Sequence, residues 1–375
     1  MNKKNKWVWI DRENQSCGKN RIGMFDLTKG ILMVGIIFGH CANDYLNLLL
    51  YNGGNNDLVR LLMSPLTLLR YGIVPMLFLS CGYGIRKQSV KKSIKNNLGM
   101  FWIPYVAVTL TILLLVLSKQ VLLGGVLKQR LFYQVLPFLL GLHPGQHRLG
   151  NVMEQIGPIW FFLTYTLGCI YINFVLQEKQ TWVQVLLIGS GNIVALMLTN
   201  VIVPFCFQQV LICSGYMYAG MWMKKGKVLE KKPPVYLLIL TWVLCTVGTL
   251  AGGLVEIGSN FYRLGAMDLA LSYLAGIVLL SLFQRIDLLQ GKISEALRWI
   301  GRHMMWFCCF HTISYLMVPW KAIGMWFGEW KMAGFLFEFI TSFLYAVTGC
   351  CVLDKVIRIV LYKKRKKEMN YEKNV

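Results

Sequence analysis

The sequence predicts an all-α integral membrane protein: a bundle of about ten transmembrane helices with both termini cytoplasmic. Three observations lead there. Of the 375 residues, 56% are hydrophobic and only 15% are charged, too apolar a mixture for the surface of a water-soluble domain. The apolar residues fall into runs long enough to cross a hydrocarbon core about 30 Å thick, which takes roughly 20 residues of helix. The basic residues collect in alternate connecting segments. With an inside N-terminus, the inside segments and ends hold 30 of the 39 Lys and Arg, as the preference of cations for cytoplasmic loops requires.

In chain order the apolar runs are Met24 to Ala42, Ser64 to Ile85, Met100 to Leu117, Pro158 to Leu176, Trp182 to Leu198, Phe205 to Met223, Val235 to Leu254, Ala266 to Phe283, Trp299 to Val318 and Ala333 to Leu353. Residues 1–23 are polar and basic, with no cleavage pattern after a short apolar run, so the first span reads as retained and the segment before it as cytoplasmic. Residues 24–353 then form one transmembrane domain, and residues 354–375 a basic cytoplasmic tail. Most connections are short, which places neighbouring helices antiparallel. The exception is the outside segment Ser118 to Gly157, whose stretch VLLGGVLKQRLFYQVLPFLLGL reads either as an interfacial helix or as a lid on the acceptor side. It carries Arg130, His143, His147, Arg148 and Glu154.

The formal net charge of +22 is spread over membrane-flanking segments. There it serves topology and attraction to anionic lipids and does not point to nucleic acid. A basic inner rim also attracts an anionic cosubstrate such as a nucleotide or coenzyme A. Eleven cysteines occur with no CxxC spacing and nearly all within apolar runs, which reads as packing and not as a metal site.

The first span, DLTKGILMVGIIFGH, keeps an acid, a base and an imidazole. A helix advances 100° and 1.5 Å per residue, so the eleven steps from Lys29 to His40 leave a net rotation of about 20° and a separation of about 16 Å. Asp26 lies about 40° from His40 on the same stripe. Ionisable groups inside a membrane are costly unless they pair or line water, and so are functional candidates. Asp26 and Lys29 lie near the inner interface, where snorkelling is cheap. Arg70, six residues into the second span, has no such excuse. Asp268 in the eighth span and His311 in the ninth complete the set, with His311 open to a packing reading as well as a catalytic one.

These residues resemble the membrane-bound acyltransferase family 3, the bacterial cell-envelope O-acyltransferases and their relatives. Its opening pattern is an Asp, then a basic residue and Gly three residues on, then an apolar run ending in His, matched here by Asp26, Lys29, Gly30 and His40. VPMLFLSCGYGIRK is similar to its second span, with Cys81 inserted between Ser80 and Gly82; FWIPYV, GPIWFFLTYTLG with Trp160, and WIGRHMMWFCCFHTISYL with His311 follow in the family's order over about residues 21–352. The resemblance implies transfer of an acyl group, typically acetyl, from cytoplasmic acyl-CoA to a hydroxyl of an extracytoplasmic or membrane-linked glycan, in a bacterial plasma membrane. It makes His40 the catalytic residue and Lys29 a support for donor or transition-state charge, although Lys cannot grip a phosphate bidentately as Arg does. Asp26 and Arg70 join Lys29 as supporting or donor-binding residues, and Glu154, Trp160 and His311 are acceptor-side or cavity residues. No tightly bound cofactor or metal is expected. The family's extracytoplasmic hydrolase-like extension is not in this sequence, which leaves room for a separate envelope-biosynthesis partner.

The chemistry also stands on the residues. Acylating a hydroxyl needs a base for its proton and donors for the oxyanion, and an imidazole suits the first task. His40 serves either as general base for direct attack on the thioester or as a nucleophile that carries the acyl group. Two other readings compete: a transporter of envelope precursors, to which buried charges in interrupted helices are suited, and a non-enzymatic partner in an envelope assembly.

Overall fold

The computed structural model describes residues 22–52, 64–123, 135–143, 156–231, 233–286, 291–320, 323, 326, 327 and 330–373. The first helix, α1 (Ile22–Asn52), is one uninterrupted element running past His40. After it come α2 (Ser64–Gly84), which holds Pro75 in its interior, and α3 (Val90–Asn97), started by the Ser89 side chain accepting from the Lys92 amide. A π turn, Leu98–Trp102, joins α3 to α4 (Ile103–Leu123). The basic stretch after the second span is therefore a short helix. Its polar side is tied down by Asn173, which donates to Ser93 Oγ at 3.3 Å and accepts from the Gln88 amide at 2.9 Å.

A 3-10 turn, Gly157–Ile159, leads into α5 (Trp160–Val175). The chain continues through α6 (Thr181–Met197), α7 (Phe207–Lys225) and α8 (Val235–Leu250) to a two-stranded hairpin. Its strands β1 (Val255–Glu256) and β2 (Phe261–Tyr262) pair antiparallel, Val255 opposite Tyr262. The last elements are α9 (Ala266–Ile286), α10 (Lys292–Arg302), α11 (Met304–Met317) and α12 (Lys331–Lys373).

The protein is an all-α membrane protein. Met24–Cys41, Gly157–Val175, Ala266–Phe283 and Met332–Ile357 are long and apolar enough to cross a bilayer, and Ile103–Ser118, Thr181–Met197, Val235–Leu250 and Met304–Met317 are shorter apolar helices. The centre of the bundle is α2, packed on α7 and α9. Small residues allow this: a methyl group on Gly82 would meet the Met217 carbonyl, and one on Gly220 the Leu79 carbonyl. Lipid gives apolar side chains little reason to prefer a helix neighbour, so close backbone approach supplies the packing energy. The rim helices show the complement. Leu186 on α6 is 59% exposed, Val235 on α8 62% and Leu344 on α12 55%, surfaces suited to acyl chains.

Three features depart from the reading of the sequence. The ninth run, Trp299 to Val318, is not one span. The helix breaks at His303, whose backbone leaves helical values (φ −97°, ψ 11°) and whose imidazole Nδ1 hydrogen-bonds the Trp299 carbonyl at 2.8 Å. The same carbonyl also accepts from the His303 amide at 3.1 Å. The helix before the break, KISEALRWIGR, is too charged to sit in hydrocarbon and instead packs along α1. Secondly, α12 runs without interruption through residue 353, where the sequence placed a boundary. The third is the hairpin after α8, which followed no periodic signal.

Candidate active site

The first helix is seated near its N-terminal end by a backbone-to-backbone crossing. A methyl on Gly30 would meet the Leu297 carbonyl of α10, and one on Gly301 of α10 would meet the Asp26 carbonyl. This crossing brings Arg298 and Arg302 within electrostatic reach of Asp26, together with Lys29. Lys29 also lies close enough to Cys81 on α2 for its charge to be felt there. Phe25 packs on Tyr83 at 5.2 Å, and Lys224 of α7 lies over the Tyr83 ring at 5.8 Å. This end of the site is thus a cluster of cations around one carboxylate and one aromatic ring.

Along the same face, further toward the C-terminal end of α1, lies His40. Its ring lies 5.3 Å from that of His311 and 4.8 Å from that of Tyr315, centroid to centroid. His311 and Tyr315 are four residues apart on α11 and therefore share its face. His311 is 2% exposed, and neither of its ring nitrogens has a hydrogen-bond partner. A buried polar atom left unpaired costs about 1–3 kcal/mol, a cost that a bound water, ion or substrate group would remove.

Trp160 closes a third side. Gly157, at φ +62°, turns the chain into α5, and the Cys308 thiol of α11 donates to the Pro158 carbonyl at 3.6 Å. Trp160 stacks on His143 (6.1 Å, 21° between planes) and touches Phe78 at 6.2 Å. Burial, and then the neighbouring His40, push the His143 imidazole down to about 3. The hairpin covers this pair: Gln209, 2% exposed, donates to both the His143 carbonyl (3.2 Å) and the Gly258 carbonyl (2.6 Å).

Asp268 is fully buried. Its carboxylate accepts from the Tyr71 hydroxyl at 2.8 Å and from the amides of Leu264 at 2.8 Å and Leu254 at 3.2 Å, clamping the base of the hairpin to α2.

Arg70 stands apart from the cluster around Asp26. The contacts of Phe25 with Tyr83, Lys29 with Cys81, and Gly35 with Ile73 show that α1 and α2 run antiparallel in register. Continuing that register puts the exposed Arg70 level with Phe38 and His40, not with Lys29. Eleven residues separate Arg70 from Cys81, so the two occupy nearly one face of α2. Glu154 lies outside the described residues.

Two further groups were not singled out in the sequence. Tyr315 is ordinary in an apolar run until α11 is placed against α1. Glu338 of α12 is 2% exposed, between Phe335 and Phe339, whose rings flank Phe38 of α1 at 5.1 and 5.7 Å. Its signal was available: a lone carboxylate inside the apolar stretch FLFEFI.

The fold and site together define a helical membrane protein whose interior holds an imidazole pair at one level and a cation cluster at another. A family model described as an acyltransferase domain, Acyl_transf_3, matches residues 22–355. The chain belongs to this acyltransferase family, as the ordered motifs implied. No curated protein and no solved structure matches the chain.

Proposed function

We propose that the protein is an integral-membrane O-acyltransferase of the bacterial plasma membrane. It moves an acyl group, typically acetyl, from cytoplasmic acyl-CoA to a hydroxyl of an extracytoplasmic or membrane-linked glycan, across about ten spans with both termini inside. The observation that carries this reading is the division of α1. Lys29, with Arg298 and Arg302 beside Asp26, offers cations at the inner end, and His40 meets His311 and Tyr315 about eleven residues, or 16 Å, further along. Phosphate-bearing donors are drawn to clustered cations. An imidazole beside a second imidazole and a tyrosine ring is suited to take a hydroxyl proton or an acyl group.

The test is transfer of label from labelled acetyl-CoA to a glycan acceptor by the purified protein in lipid nanodiscs. His40→Ala abolishes transfer while the protein stays folded and membrane-inserted. Transfer at the native rate by that variant would falsify the assignment of His40.

A further inference from the structure

Resting on the acyltransfer reading above, we infer that His40 and His311 divide the reaction: His40 takes the acyl group as a covalent acyl-imidazole, and His311 is the base that activates the acceptor hydroxyl. Three observations carry this. The His311 ring stands 5.3 Å from the His40 ring, near enough for a hydroxyl oxygen to be bonded to one ring while it attacks a group attached to the other. His311 is 2% exposed with both ring nitrogens unpartnered, so its hydrogen-bonding capacity is spare in the resting protein. Two rings that lie close to His40, those of His311 and Tyr315, both come from α11.

A single imidazole suffices if His40 only removes a proton. An acylated imidazole has used the nitrogen lone pair that would serve as base, so a covalent route needs a second one. α11 supplies it, with the same spacing that places Tyr315 over His40.

The steps balance. The unprotonated nitrogen of His40 attacks the thioester carbonyl; a C–N bond forms, the C–S bond breaks, and the thiolate leaves toward the inner end, with the acyl-imidazolium retaining its ring proton. The acceptor oxygen then attacks the acyl carbon, its proton passing to His311; a C–O bond forms, the C–N bond breaks, and His40 returns neutral. His311 gives up its proton to water, matching the one the thiolate takes up.

The experiment uses the full-length protein in nanodiscs with acetyl-CoA labelled in the acetyl group, and His311→Ala and His311→Gln variants. The expected result is a burst of about one thiol released per protein, label retained on the protein and released by hydroxylamine, and a loss of glycan transfer of at least about a hundredfold. Added imidazole restores transfer to the His311→Ala protein, and the label is absent from His40→Ala. Native transfer rates in the His311 variants overturn the proposal. Loss of the thiol burst along with transfer also overturns it, because His311 would then act before the acyl-enzyme. Failure of the native protein to transfer any label would instead refute the function itself.

Discussion

Removing the Asp268 carboxylate perturbs the hairpin that lies against His143 and Trp160 without touching His40 or His311. Three donors converge on it in a fully buried position: the Tyr71 hydroxyl and the amides of Leu254 and Leu264. Asp268→Ala leaves all three without an acceptor, and each orphaned buried donor costs about 1–3 kcal/mol. Allowing for relaxation and water entry at the hairpin, the loss is about 3–5 kcal/mol. At roughly 2 °C per kcal/mol for a large domain, the melting midpoint falls by about 6–10 °C. Tyr71→Phe removes one bond and costs about 1–1.5 kcal/mol. The double variant is less destabilised than the sum of the two, since both remove the same contact. The assay is tryptophan-fluorescence melting of the protein in detergent, with parallel measurement of acyl transfer. Midpoints for Asp268→Ala within 1 °C of native would show that the carboxylate is not the clamp described here. Strictly additive losses would show that Tyr71 and Asp268 are not coupled.

The His143 imidazole is held down to about 3, below its ordinary value. Below about pH 6.5 the unfolded chain therefore takes up a proton that the folded chain refuses, and the stability present above that pH is lost as pH falls toward 3. Melting at pH 7.5 and pH 5 should show a smaller acid loss in His143→Gln than in the native protein; equal losses refute the burial of this ring. Arg70→Ala is expected to raise the KM for the acceptor about tenfold or lower kcat, because Arg70 lies level with His40, whereas Lys29→Ala raises the KM for acyl-CoA. An effect of Arg70→Ala confined to the donor KM would return Arg70 to the cluster around Asp26. Gly301→Ala drives a methyl into the Asp26 carbonyl and forces α10 from α1. With Lys29 displaced by about 1 Å, turnover falls about a hundredfold. Native turnover in that variant would show the crossing to be adaptable.

How far the site was legible depended on whether its parts lie on one helix. The alignment of Asp26, Lys29 and His40 followed from the 3.6-residue repeat, and α1 is continuous through all three. Apart from the break in the ninth run at His303, the apolar runs likewise fall in helices, because backbone hydrogen bonds in hydrocarbon must be satisfied within the segment. The function of Asp268 was not legible, since its three donors come from α2 and from both sides of the hairpin. The break at His303 was hidden because composition on its two sides is averaged by any window as long as a span.

By itself the sequence determined a helical membrane protein, the acyltransferase family and the face shared by Lys29 and His40. Each of these is local, or adds up from residues read one after another. Only the tertiary structure decided that His311 and Tyr315 stand over His40, that Arg70 lies at the level of the imidazoles, and that Gln209 and Asp268 hold the hairpin in place. Helical periodicity says which residues share a face, but lipid and protein are both apolar neighbours. Which face meets which helix is therefore settled by close packing at points such as Gly30 on Leu297 and Gly82 on Met217.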